Sequence, residues 1–448
     1  MAKTKTGISK QILILAYPLI IQNLSYTIVG VTDTFFVSQV STDAVAAVGL
    51  AGILFFAVAV LFRSTANSSL IFVSRAFGAK DYPAIGKAIW KVLNVVALLS
   101  LLVFFLPSLY KFFFSLAVSA DNLNIRALGH IYLQIVAYEI PFIMFNAVVW
   151  GFLVGRNDSR TPMILAWLTV IVNIILDWLL VLGNFGMPAM GVEGAAYATF
   201  ISNVVASILS AYILWNPKNR SEYGTGKASL ASFKDMKQVI KIGLPMGFGD
   251  FVEISSFSIF FAMLGRLGTD ILAASNIALQ YMSISFTMGM AIAQASSSLV
   301  SQYLGANEPD NAERVAYRAS AIAGLLMALI GLTYLIAPKA LIAVFVSDPE
   351  VIAAGVIILK MIAFYQAFDG IAIVISGALN GAGDTAYVML VKIIFGWGVF
   401  LPLTWLLAFK FNGAVVGAWA AAIVYLSGLA IIYFLRFRAG KWKTIELG

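Results

Sequence analysis

Cysteine is absent from the 448 residues, and histidine occurs once, at His130. The first absence excludes a disulfide framework and a thiolate metal site, and the second excludes a multi-histidine metal centre. Charge is scarce too: 11% of residues are charged and 61% are hydrophobic, against about 25% charged and about 45–50% apolar in soluble domains. That balance excludes a water-soluble fold. No GxxxxGK[ST] string occurs, so ATP hydrolysis within this chain is not an energy source. Present instead are apolar runs of about twenty residues along the whole length, each able to cross about 30 Å of hydrocarbon as a helix. They give expected spans at 11–37, 45–72, 92–115, 129–153, 163–184, 195–215, 242–264, 271–303, 319–338, 351–378, 386–408 and 413–435. The first run holds Pro18, Asn23 and Asp33 and exceeds signal-peptide length, so it reads as a retained span. His130 falls at an expected helix start, an interfacial or capping position.

The net charge of +8 would suggest a nucleic-acid partner only if the basic residues formed one patch. They sort by membrane side instead. With the N-terminus inside, Lys3, Lys5, Lys10, Arg75, Lys80, Lys87, Lys91, Arg156, Arg160, Arg314, Arg318, Arg436, Arg438, Lys441, Lys443 and the six basic residues of 216–241 face the cytoplasm. Only Lys111, Arg126, Arg266, Lys339 and Lys410 face outward. This is the positive-inside bias, and it places both termini in the cytoplasm and excludes a nucleic-acid role.

An internal repeat organises the spans. A shift of 227 residues superimposes Pro18 on Pro245, Thr42-Asp43 on Thr269-Asp270 and Gly78-Ala79 on Gly305-Ala306; a shift of 226 superimposes Gly151, Gly155 and Asp158 on Gly377, Gly381 and Asp384. A six-helix unit is thus used twice. Six is even, so the copies are parallel repeats, with a cargo cleft expected between them. The expected division is an N-terminal lobe at 1–215, a polar cytoplasmic linker at 216–241, and a C-terminal lobe with a cytoplasmic tail at 242–448. The expected fold class is an all-α integral membrane protein of twelve transmembrane helices.

Charges in hydrocarbon are functional candidates by default. The spans hold six acids, Asp33, Glu139, Asp177, Asp250, Glu253 and Asp369, against three bases, Arg63, Lys360 and Lys392. An acidic, aromatic-bearing interior attracts organic cations by ion pairing and cation–π contact. Asn173 and Asp177 share one face of the fifth helix. With Asp33 and Thr199 they form a candidate oxygen cage, suited to Na⁺ and equally, as desolvated carboxylates, to a proton. In the second half, Glu253 with Phe257 and Asp369 with Tyr365 make a second candidate cation and substrate site, with Na⁺ at Glu253 and Asp369 as an alternative. Arg63 and Lys360 are expected to pair with acids, and Lys392 to snorkel to the membrane surface. The string Gly247-Phe-Gly-Asp250 fits the GxGD motif of intramembrane aspartyl proteases, but their partner motifs are missing and the string recurs at Gly381-Ala-Gly-Asp384. The chain is expected not to be an enzyme.

Taken together, Val31-Thr-Asp33-Thr-Phe, Gly191-Val-Glu-Gly-Ala-Ala-Tyr-Ala-Thr199, Gly243-Leu-Pro245 and Gly377-Ala-Leu-Asn-Gly381-Ala-Gly-Asp384-Thr resemble the MATE family, the multidrug and toxic compound extrusion transporters. The resemblance covers nearly the full chain. It implies two six-helix lobes forming a V, drug-and-cation antiport, and a cation site at Asp33, Asn173 and Asp177. Glu253 and Asp369 resemble the second-lobe pair of the NorM-like branch, which favours that branch over the DinF-like one. The expectation is therefore a multidrug efflux antiporter. It works as a monomer among lipids in a bacterial or archaeal inner membrane, exporting small organic cations for Na⁺ or H⁺ with no cofactor. The alternative is a flippase of the same superfamily for a lipid-linked anionic precursor, whose cavity would need arginine and lysine.

Overall fold

The computed structural model describes residues 7–446, and among them all regular structure is helical. The expected cytoplasmic bases Lys3 and Lys5 lie outside the described residues. Among the described residues twelve helices are long and apolar enough to cross a membrane: α1 Ile8–Ser38, α2 Thr42–Gly78, α3 Tyr82–Ala117, α4 Leu123–Gly155, α5 Arg160–Leu180, α6 Gly191–Leu214, α7 Phe233–Gly265, α8 Thr269–Gly305, α9 Pro309–Ile336, α10 Pro349–Ala382, α11 Thr385–Lys410 and α12 Ala414–Arg438. Their ends follow local chemistry. Ser41 and Asp81 accept the free amides of Ala44 and Ala84 at 3.0 and 3.2 Å, and Asp348 accepts that of Glu350 at 2.8 Å, satisfying groups that a helix start leaves without partners. Gly383, at φ 95°, ends α10 in a left-handed conformation open to glycine.

Several helices begin earlier than hydropathy suggests. α3 starts at Tyr82 rather than 92, because its first turns are amphipathic: Ile85, Ile89 and Val92 are fully buried while Lys87 is exposed. α7 starts at Phe233 for the same reason, with Val239 and Ile242 inside and Lys234, Lys237 and Lys241 outside. The stretch 216–241 also carries a short helix, Pro217–Tyr223, capped by Asn216 and ended by Gly224 at φ 69°. His130 corrects its expectation. The helix starts seven residues earlier, so His130 lies inside α4, where its Nε2 is 3.2 Å from Ser115 Oγ and its ring packs edge-on against Phe114.

The chain forms two compact units, one of Pro18–Gly247 and one of Met1–Tyr17 with Phe248–Gly448. Each holds one copy of the repeat, and the glycines of the repeat explain its packing. In the first unit, a Cβ at Gly151 on α4 would meet Ser69 and Leu70 of α2, and one at Gly155 would meet Val73 at 2.8 Å. In the second, the equivalent Gly377 and Gly381 on α10 stand against Ala293 and Ser297 of α8. Lipid-embedded helices gain little from hydrophobic association, so small residues that allow close backbone approach carry the packing. The motif aspartates then close the turns: Asp158 accepts from Thr161 Oγ1 at 2.8 Å, and Asp384 accepts from Arg436 Nε at 2.7 Å.

Candidate functional site

In the first unit, four positions from three helices converge. Asp33 of α1 lies within side-chain contact of Asp177 and Asn173 of α5 and Thr199 of α6. Asp177 is fully buried, and Asn173 is 1% exposed. The Thr199 hydroxyl donates within its own helix to the Ala195 carbonyl at 3.0 Å, so it can present oxygen lone pairs to the site. One carboxylate oxygen of Asp33, both of Asp177 and both amide polar atoms of Asn173 are buried without a well-formed hydrogen bond. Two carboxylates that approach one another with one amide donor group, Asn173 Nδ2, beside them have more acceptors than donors, an arrangement a cation or a proton stabilises, because an unsatisfied buried acceptor costs about 1–3 kcal/mol and more when charged. The donor set, carboxylate with amide and hydroxyl oxygen, suits a hard cation. Among the described residues no group of three or more His, Cys, Asp or Glu side chains has metal-site geometry, so Asn173 and Thr199 are needed to complete any cage.

Two neighbours join this site that the sequence alone does not assign to it. Tyr132 of α4 is 7% exposed and lies within side-chain reach of Thr199, with Asp33, Glu139 and Asp177 all in electrostatic range. Glu139 sits where α4 passes through a 3₁₀ turn, Ala137–Glu139, just before Pro141. Its Oε1 accepts from Asn203 Nδ2 at 2.6 Å, while Oε2 is buried without a partner. A tyrosine in an apolar run carries no sequence signal of function. Glu139 carries one, a carboxylate in hydrocarbon, but its partner lies 64 residues away.

In the second unit, Asp369 is 8% exposed and within electrostatic range of Glu253. Tyr365 lies beside Asp369, fully buried, with its hydroxyl 3.4 Å from Met282 Sδ. Phe257 packs elsewhere, in an aromatic stack with Phe400 and Tyr425 at 5.5 and 6.1 Å. The bases depart from expectation. Lys392 does not snorkel: it is 8% exposed and bonded to Asp250 and Glu253 at 2.6 and 2.8 Å, because two carboxylates one turn apart offer more than partial hydration does. Arg63 lies over the Tyr26 ring at 5.6 Å rather than on an acid. Lys360 is exposed on the flank of α10 and forms no ion pair among the described residues.

The family model MatE matches residues 18–179 and again 245–406, two stretches offset by the 227 residues of the repeat. The chain is 28% identical over 440 residues to a probable multidrug resistance protein NorM of Thermotoga maritima, covering 97% of this chain and 93% of that one. It is also 28% identical over 443 residues to a protein of the same description from Pasteurella multocida, covering 96% and 94%. In fold it matches a solved structure reported as the outward-facing conformation of a multidrug resistance MATE family transporter of the MOP superfamily, with a TM-score of 0.86 at 20% identity over 99% of this chain and 100% of that one. Another match, at TM-score 0.86 and 20% identity over 99% and 100%, is a MOP superfamily transporter from Pyrococcus furiosus whose reversed pocket polarity is reported to suggest a different function. Repeat, helix count and motifs lead to one conclusion: this multi-pass membrane protein belongs to the MatE family.

Proposed function

We propose that this chain is a secondary active exporter of amphipathic organic cations, driven by inward movement of Na⁺ or H⁺. The observation that carries the reading is the set of buried, unsatisfied oxygens at Asp33, Asn173 and Asp177. An ion drives export only if ion and cargo favour different states or compete for one site, since a ligand with equal affinity for both states shifts nothing. Carboxylates without partners supply that competition, because an ion, a proton or a cationic drug relieves the same desolvation penalty. Asp33, Asn173, Asp177 and Thr199 would hold the coupling ion, with Tyr132 and Glu139 at its edge. Glu253 and Asp369 would form a second cation-attracting site, with Tyr365 beside it and Phe257 in the packing behind. The relatives named for multidrug resistance support the same cargo class.

Gradient-driven uptake tests this reading. Everted vesicles containing the chain are expected to accumulate a fluorescent lipophilic cation when a proton or a sodium gradient is imposed separately; accumulation indifferent to both would remove the coupling claim. The cargo prediction is separate. In a host lacking its own pumps, the chain is expected to raise resistance to monovalent lipophilic cations and not to anions of similar size, which would meet like charge in a low-dielectric interior. Protection against anionic compounds alone would favour the flippase reading. Against that reading stands Lys392, whose ammonium is already shared between two carboxylates rather than open to a phosphate.

We further place the chain in the inner membrane of a bacterium or archaeon, working as a monomer, with lobes at 1–215 and 242–448 and both termini and the 216–241 segment facing the cytoplasm. The basis is the distribution of basic residues. Single introduced cysteines report this without background, since the chain has none. Thr225 is fully buried and would be a poor reporter, whereas Ser229, Glu446 and Lys339 are exposed. In intact cells an impermeant thiol reagent is expected to label Lys339→Cys and to spare Ser229→Cys and Glu446→Cys; the opposite pattern would invert the topology.

A further inference from the structure

Asp250 and Glu253 lie one turn apart on α7 and share a single ammonium. Lys392 Nζ stands 2.6 Å from Asp250 Oδ1 and 2.8 Å from Glu253 Oε2. The lysine side chain is the buried partner, at 11% exposure, while the two acids keep 34% and 26%. The fold makes room for its stem. A Cβ at Gly249 would stand 3.3 Å from both Lys392 Cδ and Met389 Cα, so a glycine lets α11 lie close along α7. One turn on, Gly396 packs against Ser256, and from Ile394 the helix runs as a π-segment to Phe400, an irregularity common at functional sites. Asp369 lies within electrostatic range of Glu253 and has no ion pair among the described residues.

This arrangement differs from an open acidic pair awaiting an ion. Glu253 already holds a cation, covalently tethered, whose effective concentration is set by the fold and not by the solution. An incoming Na⁺ would have to evict a nearly buried ammonium from Glu253, leaving it on Asp250 alone and bringing two cations close together in low dielectric. An organic ammonium meets a smaller obstacle, since it can share Asp369 and donate to the outer face of Glu253 without displacing Lys392.

We propose that Lys392 is a tethered counter-cation that fills the ion position at Glu253, and that it thereby sets specificity in the second unit by excluding small inorganic cations. The inference rests on the reading of Glu253 and Asp369 as a cation site, but it is tested by a gain rather than a loss. The consequence is that removing the ammonium should create a sodium site where the natural chain has none.

The experiment measures ²²Na⁺ binding to the purified full-length chain, with Asp33→Asn present throughout to silence the first unit. Lys392→Gln is expected to bind Na⁺ at least tenfold more tightly than its Lys392 parent. Lys392→Gln with Glu253→Gln is expected to lose that gain, and Lys392→Arg to show none. Should Lys392→Gln alone not fold, Lys392→Gln with Asp250→Asn restores the local charge balance and carries the same expectation. Unchanged Na⁺ binding in a folded Lys392→Gln protein, with or without Asp250→Asn, would overturn the proposal. So would Na⁺ binding by the parent that Glu253→Gln abolishes, because the position would then be open to sodium with the lysine in place. A failure of the cation-site reading has a different signature: export and coupling unaffected by Glu253→Gln with Asp369→Asn.

Discussion

Replacing Asp33 by asparagine is expected to reduce drug export by at least about tenfold while leaving the chain folded and inserted. Asp33 is the contribution of α1 to a set otherwise drawn from α5 and α6, so its carboxylate is the one acid there that Asp177 cannot duplicate. The substitution keeps the shape and one oxygen but removes the charge. An interaction with a charged group contributes about 1.5–3 kcal/mol, and each 1.4 kcal/mol is about tenfold in an equilibrium. Competition between ion and cargo for this position should fall by one to two decades. Folding should survive, because one Asp33 oxygen has no hydrogen bond to lose and the neutral amide removes a repulsion with Asp177. Reconstituted transport, read beside thermal stability of the same preparation, separates the two effects. Wild-type export by a stable Asp33→Asn protein would take this site out of the mechanism.

A substitution far from both acid sites should do comparable damage by another route. At Gly381 a Cβ would run into the Ser297 carbonyl oxygen and stand 2.8 Å from Ser297 Cα. Both are backbone atoms, so no side-chain rotation relieves the clash and α8 must move away from α10. Gly381→Val is therefore expected to cost about 3 kcal/mol, the upper part of the range for overpacking, and to lower the yield of monodisperse protein sharply. Gly398, where an added Cβ would meet no atom within 4 Å, is the control: Gly398→Ala should melt with the parent. Equal stability of the two variants would mean that close approach of α8 and α10 is not required.

How much of this is legible in the sequence depends on whether the signal is local. The twelve spans and the two-fold repeat are, because hydropathy and glycine spacing are properties of consecutive residues, and the repeat glycines Gly151, Gly155, Gly377 and Gly381 fall on helix crossings. The pairing of Asn173 with Asp177 follows from helical periodicity alone. Their meeting with Asp33 needs a second helix, α1, so the residues offer it only as a candidate cage of intramembrane oxygens, which the resemblance to known transporters then favours. Lys392 departs from expectation for a physical reason. Hydropathy puts it near the end of a span, where lysines ordinarily reach water, and its partners are on α7, with Asp250 142 residues away. The pair Asp250 and Glu253, two acids on one helix face, is the available hint that a base has to stand opposite. The early starts of α3 and α7 are hidden because lysines on an amphipathic first turn read as loop; Lys91 of α3 in fact pairs with Asp235 of α7 at 2.5 Å.

The central claim is that export is stoichiometrically coupled to an inward cation through buried carboxylates. Its most direct test is simultaneous measurement of cargo and ion flux in proteoliposomes, with a fluorescent organic cation as cargo and Na⁺ and H⁺ followed separately. The account predicts that cargo added on the ion-poor side drives movement of one of these ions in the opposite direction, in a fixed ratio, and that Asp33→Asn abolishes both fluxes together. Ion flux that proceeds without cargo, or cargo flux that continues with neither ion moving, would contradict it.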